Sequence, residues 1–243
     1  MMERTENPAA FNRQVHQMFN AIAPRYDLLN RLLSGGRDRY WRRRAVARLA
    51  PKPGEHFLDI ATGTADVALE IVRQSNTREV QVVAMDFSEP MLELARQKID
   101  SQDRAGMIQL QTGSAENLPF ADHSFDGTTT AFGVRNFSDV SGSLREMVRV
   151  LKPGGRSVIL EFALPRHPVL NFLYRFYFET LLPRVGRWVS RHPSAYTYLP
   201  ESVAAFPVRE EFKSRMQRAG FDEVTYRELT FGMVILYTGI RRV

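Results

Sequence analysis

The chain has 243 residues, 44% of them hydrophobic, 25% charged and 11% aromatic, with ordinary numbers of glycine (15) and proline (13). This composition supports one well-packed core with an appendage and excludes disordered and collagen-like architectures. Cysteine is absent, which excludes disulfides, cysteine-ligated zinc and thiolate catalysis. The net charge of +6 is local: residues 31–48 hold Arg31, Arg37, Arg39, Arg42, Arg43, Arg44 and Arg48 against Asp38 alone, and the rest of the chain is balanced.

The opening residues carry Glu3 and Glu6 and no apolar signal region. No stretch approaches the ~18 apolar residues of a spanning helix. The expectation is therefore a cytoplasmic protein whose membrane contact, if any, is peripheral. From Phe57 onward short β-branched runs alternate with helical patterns, the signature of βαβ units. Residues 57–61 read as the first strand, 66–73 as a short helix and 80–86 as the second strand. Ser88 is a good N-cap, Pro90 suits an early helical position, and Met91, Leu92, Leu94, Ala95 and Ile99 give that helix its apolar face. Strands follow at 107–113 and 125–134, a helix at 144–151, a turn at Lys152–Gly155 and a fifth strand at 156–162. After an insert come a helix ended by Gly220, a strand near 221–229 and a last strand at 233–240 with no helix before it. The expected fold is α/β: a doubly wound, mostly parallel seven-stranded sheet with an antiparallel last strand. Ligands of such sheets bind beyond the carboxyl ends of the strands, beside the first one.

The loop at that place is Asp59–Asp66, an acidic strand end followed by small residues, with Thr62, Gly63 and Thr64 at its centre. Asp86 ends the second strand, where a carboxylate commonly accepts both ribose hydroxyls of an adenosine group. A dinucleotide site needs more glycines and a phosphate-tolerant helix start, and Asp66 repels phosphate. S-adenosylmethionine carries a sulfonium cation and no phosphate, so an acidic small-residue loop suits it. A plain strand-end turn is the third reading. The five histidines (His16, His56, His123, His167 and His192) have no metal-binding spacing and read as surface or strand-edge residues, so no metal is expected.

The successive segments 59–66, Asp86, 114–120, 125–137 and 149–155 resemble class I S-adenosylmethionine-dependent methyltransferases. The opening run 19–43 and the segment Phe132–Asn136 are similar to the family that methylates demethylmenaquinol and, in some bacteria, a polyprenyl benzoquinol precursor of ubiquinone. The resemblance covers nearly the whole chain. It implies S-adenosylmethionine as methyl donor, with Gly63 and Thr64 at the methionine end, Asp86 at the ribose, Ser114 and Ala115 beside the adenine, and Asp59 and Thr62 among the other cofactor-binding residues. It departs at Ala61 and Ala65, where many such enzymes have glycine. It further implies a helical cap at 1–50 over the substrate site, a methyltransferase domain at 51–243 and an acceptor-binding insert at 163–206.

On the substrate side, Arg135 and Asn136 end the fourth strand, and Tyr26 belongs to the segment that this family folds over the site. Arg135 reads either as a holder of a quinol oxygen or as a salt bridge anchoring its loop. Asn136 reads either as its assistant or as the cap of the next helix. The run 169–182 is apolar around most of its circumference, as suits a polyprenyl lid, an interfacial helix, a core helix or a dimer interface. The arginine run, with Tyr40 and Trp41, suits either anionic lipid headgroups or local ion pairs on a solvated helix. The resulting expectation is C-methylation of a prenylated demethylmenaquinol, with the benzoquinol precursor of ubiquinone as alternative acceptor. Contact with the inner face of the cytoplasmic membrane and a homodimer are compatible with it. The rival of another class is a methyltransferase-like nucleic-acid binder using the arginine patch. Confinement of the charge to one segment and the aromatic insert argue against that rival, and no nucleic-acid partner is expected.

Overall fold

A computed structural model describes residues 8–176 and 194–243. Three helices open the chain: α1 (Pro8–Ile22), α2 (Tyr26–Ser34) and α3 (Asp38–Leu49). The alternating part runs β1 (His56–Ile60), α4 (Asp66–Ser75), β2 (Gln81–Asp86), α5 (Glu89–Ser101), β3 (Ile108–Thr112), β4 (Phe125–Ala131), α6 (Val140–Val150) and β5 (Leu151–Phe162). The insert contributes α7 (Pro168–Arg175) and α8 (Ser194–Ala205), and α9 (Glu210–Ala219), β6 (Phe221–Leu229) and β7 (Val234–Arg241) close the chain. The seven strands lie in the order β3-β2-β1-β4-β5-β7-β6, and only β7 is antiparallel to its neighbours.

Period-two alternation divides the core between the two faces of the sheet. Along β5, Val158, Leu160 and Phe162 join the cluster under α3 and α4, while Ile159 joins the opposite cluster with Leu144 and Met147 of α6 and Phe212 and Met216 of α9. Gly127 on β4 leaves room for this packing, since a Cβ there would stand 2.8 Å from the Phe57 ring and 2.9 Å from Leu49. Ser88 caps α5 as expected, its hydroxyl accepting from the Met91 amide at 3.4 Å with Pro90 in the first turn.

The structure revises several local expectations. Residues 152–155 do not separate a helix from a strand. Leu151 already pairs with Phe125, Arg156 pairs with Gly127, and the residues between form an irregularity inside one long β5. The cap of α6 is Asp139, whose Oδ1 accepts from the Gly142 amide at 2.8 Å, and not Asn136. Trp41 is not an interfacial residue: it is 3% exposed, donates from Nε1 to Thr230 Oγ1 at 2.7 Å, and sets its ring edge against Phe132 and Phe162. Arg42 is likewise buried, bound to Asp38 at 2.7 Å and Asp66 at 2.9 Å. The arginine run is thus a helix whose Trp41, Ala45, Val46 and Leu49 face is core, with only the other side in solvent. The expected helix at 169–182 begins as α7; residues 177–182 and His192 lie outside the described residues.

Topology collects the irregular segments at the carboxyl edge of the parallel strands. The loops after β1, β2, β3 and β4 end there, α7 leaves from the end of β5, and the turn carrying Phe231 enters β7 opposite Phe162. Helices α1 and α2 lie over this edge, tied down by Ser88 Oγ–Asn20 Oδ1 (2.6 Å) and Thr64 Oγ1–Asp27 Oδ1 (2.7 Å). No helix among the described residues is long and apolar enough to cross a membrane.

Candidate active site

The register sets the site. Ile60 pairs with Met85, so the loop leaving β1 lies directly beside Asp86 at the end of β2. That loop turns on left-handed residues, Ala61 (φ 55°), Gly63 (57°) and Ala65 (63°). For alanine this region costs roughly 1–2 kcal/mol, which is the physical reason glycine suits positions 61 and 65. Hydrogen bonds offset the cost: Thr62 N donates to Met85 O at 2.9 Å, and Gly63 N donates to Asp86 Oδ2 at 2.8 Å. Asp86 Oδ1 accepts from Ser88 N at 2.9 Å. Burial pushes the Asp86 carboxyl up, and the amides of Ser88, Gly63 and Phe87 oppose that shift by favouring the charged form.

Two connected spaces adjoin this carboxylate. The first encloses about 400 Å³ between α1 (Asn12, Val15, His16) and the strand ends, and is lined by Ala61, Asp86, Phe87, Gly113, Ser114 and Ala115. The second, about 390 Å³, shares Ala61, Asp86, Phe87 and Asn136 with it and adds Phe19, Tyr26, Gly63 and Phe132. Gly63 packs beneath the Tyr26 ring, and its left-handed φ is what favours glycine there, since an added Cβ would lie at ordinary contact distance, 3.4 Å, from that ring. Gly133 allows close approach between loops: its Cβ would lie 2.7 Å from that of Ala61, so the β1 and β4 loops could not otherwise meet.

A third space of about 610 Å³ opens beyond Phe19, Tyr26 and Phe132, which it shares with the second. Its walls are mainly apolar: Met18, Ile22, Leu29, Phe162 and Leu199, with Phe132 stacked on Phe162 at 4.2 Å. Arg135 and Tyr198 are its polar exceptions together with Tyr26 and Asn30. Arg135 lies in a short 3-10 turn (Val134–Asn136) after β4, not on the strand itself. Its guanidinium NH1 donates to Glu161 Oε1 at 2.6 Å and to Phe132 O at 2.5 Å, and the group sits 5.4 Å from the Phe162 ring centre. Burial disfavours its charge, but the Glu161 carboxylate, together with Tyr198 and Tyr26, raises its pKa overall. Its Nε has no hydrogen-bond acceptor among the described residues. Asn136 Oδ1 accepts from the Tyr198 hydroxyl at 2.8 Å. The Tyr26 hydroxyl is pushed up by burial, so it stays protonated at neutral pH.

Of the residues expected at the site, Tyr26, Gly63, Asp86, Ser114, Ala115, Arg135 and Asn136 line the three connected spaces. Asp59, Thr62 and Thr64 lie behind that surface. Asp59 accepts from the Thr62 hydroxyl at 2.6 Å, and burial pushes its carboxyl up to about 7. The Thr64 hydroxyl binds Asp27 and accepts from Lys98 Nζ at 2.8 Å, in a network that also holds Asp66 and Arg42. Sequence reasoning passed over His16, which stacks on Phe87 at 3.9 Å and lines the first space. A signal existed: Asn12, His16 and Phe19 recur at i, i+4 and i+7, one helix face beside the buried Phe11 and Val15. Glu161 and Tyr198 had no such local signal.

The model of the ubiE/COQ5 methyltransferase family matches residues 7–241. This chain belongs to that family. It is 49% identical over 226 residues to a ubiquinone/menaquinone biosynthesis C-methyltransferase UbiE of Geotalea daltonii, covering 93% of this chain and 95% of the relative. It is 47% identical to a demethylmenaquinone methyltransferase of Deinococcus radiodurans, covering 94% and 92%. Among solved structures, the [4+2]-cyclase SpnF superposes with TM-score 0.71 at 16% identity over 96% of both chains. A SAM-dependent methyltransferase from Aquifex aeolicus superposes with TM-score 0.63 at 17% identity, covering 88% of this chain and 97% of the other. A cyclase and a methyltransferase on one fold illustrate that fold alone does not fix the reaction.

Proposed function

We propose that this methyltransferase moves a methyl group from S-adenosylmethionine to a ring carbon of a reduced, prenylated demethylmenaquinol. A 2-polyprenyl-6-methoxy-1,4-benzoquinol is the alternative acceptor, since relatives named for either pathway match at similar identity. The observation that carries the reading is the aromatic cleft of about 610 Å³ joined to the Asp86 crevice at Tyr26 and Phe132, with a buried guanidinium in its wall. A flat apolar ring with one polar edge fits such walls.

The crevice suits the donor. Asp86 accepts from the ribose hydroxyls while its backbone partners hold it in place, and Ser114 and Ala115 flank the adenine. Asp86, which lines the crevice, makes the region unfavourable for a pyrophosphate and favourable for a cation. When bound, S-adenosylmethionine supplies a methyl group made electrophilic by a positive sulfur. The chain's own contribution is to orient the quinol and to donate hydrogen bonds to its oxygen. Arg135, which lines the cleft, takes the quinol oxygen through its guanidinium, and Asn136 and Tyr26 complete the polar edge. Loss of the hydroxyl proton to bulk solvent makes the ring carbon a strong nucleophile, and after the methyl is transferred, with S-adenosylhomocysteine as the leaving product, the proton on that carbon is also lost to solvent and the aromatic ring is restored. Helices α1 and α2 exclude water, so the developing phenolate is stabilised by fixed donors and not by solvent.

A prenyl tail needs an apolar exit. Leu28, Leu32, Val169, Phe172, Phe176 and Phe231 are exposed on the segments gathered at the carboxyl edge of the sheet. These side chains support contact with a lipid surface, and they replace Trp41 in that role. The test of the acceptor is the quinone extract of cells lacking the gene. Mass spectra should show demethylmenaquinone 14 mass units below menaquinone, or the corresponding demethylated benzoquinone. An unaltered quinone profile would reject both acceptors.

A further inference from the structure

The only carboxylate touching Arg135 among the described residues is Glu161, and the way it is held is unusual for a surface-loop anchor. Glu161 is fully buried on β5. Its Oε1 accepts from Arg135 NH1 at 2.6 Å and from the Phe162 amide at 2.9 Å, and its Oε2 accepts from the Arg135 amide at 3.2 Å. One carboxylate therefore grips both the backbone and the guanidinium of Arg135. Phe132 O and the Phe162 ring complete the clamp. Anchoring alone would be met by the two backbone amides and a neutral acceptor. A full negative charge at this depth is costly unless paired, and the pair that results has no net charge.

We infer that Glu161 is a positioning residue that neutralises Arg135, so that the cleft offers the quinol oxygen an oriented donor and not a bare cation, thereby setting the pH at which the bound quinol ionises. This rests on the quinol reading above. Without that negative charge, the guanidinium would draw out the quinol proton whether or not a methyl donor were bound. With it, the remaining favourable charge comes from the donor's sulfonium, and ionisation is tied to the loaded site. Few other charges face this position. Tyr26 from α2 and Tyr198 from α8 line the cleft, and burial holds the Tyr26 pKa up. Tyr237 from β7 lies behind Glu161 with its pKa also raised by burial, and its hydroxyl accepts from the Arg209 amide at 2.7 Å. Asp86 and Arg42 act on Tyr26 from the crevice side with opposite signs.

The test compares wild type with Glu161→Gln in methyl transfer from S-adenosylmethionine to demethylmenaquinol across pH. The amide keeps the shape and removes the charge, so the acidic limb of kcat, which reports ionisation in the bound complex, should move to lower pH by about one unit, the scale of one charge at 4–6 Å. Some loss of Tm is expected on either view and decides nothing. An acidic limb that stays in place while the variant still methylates overturns the inference and leaves the quinol reading intact. Failure of the wild type to methylate the quinol at any pH would strike the reading instead. Should the variant not fold, 1-naphthol titrated spectroscopically in wild-type protein without cofactor, and displaced by demethylmenaquinol, gives the answer directly. Its bound pKa should lie within about one unit of its value in water. A drop of about three units would mean an uncompensated cation in the cleft and would overturn the proposal.

Discussion

Arg135→Lys is expected to lower kcat roughly a hundredfold while leaving the affinity for S-adenosylmethionine within about twofold of wild type, the scale of one lost oxyanion donor. The geometry supplies the reason. Arg135 spends one nitrogen on Glu161 and Phe132 O, its Nε–H is buried without an acceptor among the described residues, and the side chain as a whole lines the cleft. A lysine ammonium can satisfy Glu161, but it has no second donor on a rigid plane to offer the quinol oxygen. The competing account, in which the arginine only anchors its turn, makes a different forecast. Loosening the turn would shift Asn136 and Phe137, which line the Asp86 crevice, so Tm and cofactor affinity would fall together. Measuring kcat, cofactor Kd and Tm on one preparation separates the accounts, and an unchanged kcat would end the catalytic role of Arg135.

Asp86→Ala should weaken S-adenosylmethionine binding by about 2–3 kcal/mol, or roughly 30- to 150-fold, the scale of charge-assisted hydrogen bonds to two hydroxyls. The substitution also strips the Gly63 and Ser88 amides of their acceptor. Part of any loss could therefore come from a disordered loop, and Asp86→Asn distinguishes the two causes. The amide retains one acceptor of the right shape and should keep more of the Tm than of the affinity. Calorimetric titration of the three proteins reads the result. Wild-type affinity in Asp86→Ala would remove Asp86 from the ribose.

The fold was largely legible in the chain because its signals are local. β-branched runs, a Ser88–Pro90 helix start and Gly220 after α9 lie where propensity and capping physics put them. The loop after β1 and Asp86 were legible for the same reason, since a doubly wound sheet fixes where strand ends meet. What was not legible depends on partners distant in sequence. Arg135 and Glu161 are 26 residues apart, and Asn136 and Tyr198 are 62 apart, with no local pattern announcing either pair. Trp41 was misplaced because arginines surround it, although the helical spacing of Trp41, Ala45, Val46 and Leu49 marks a buried face. Thr64 sits in the expected loop yet turns to Asp27 and Lys98, because those charges on α2 and α5 compete for its hydroxyl. A loop can be placed from sequence, whereas the direction of each side chain in it depends on tertiary neighbours.

The central claim is that a ring carbon of an ionised quinol is the nucleophile, held at the Arg135 edge of an aromatic cleft. Transfer of labelled methyl from S-adenosylmethionine to purified demethylmenaquinone, assayed with and without dithionite, tests it most directly. Incorporation should depend on the reductant and should fall with pH as the quinol hydroxyl becomes fully protonated, because its ordinary pKa is near that of tyrosine, about 10. Equal incorporation into the oxidised quinone, which has no hydroxyl to ionise, would contradict the account.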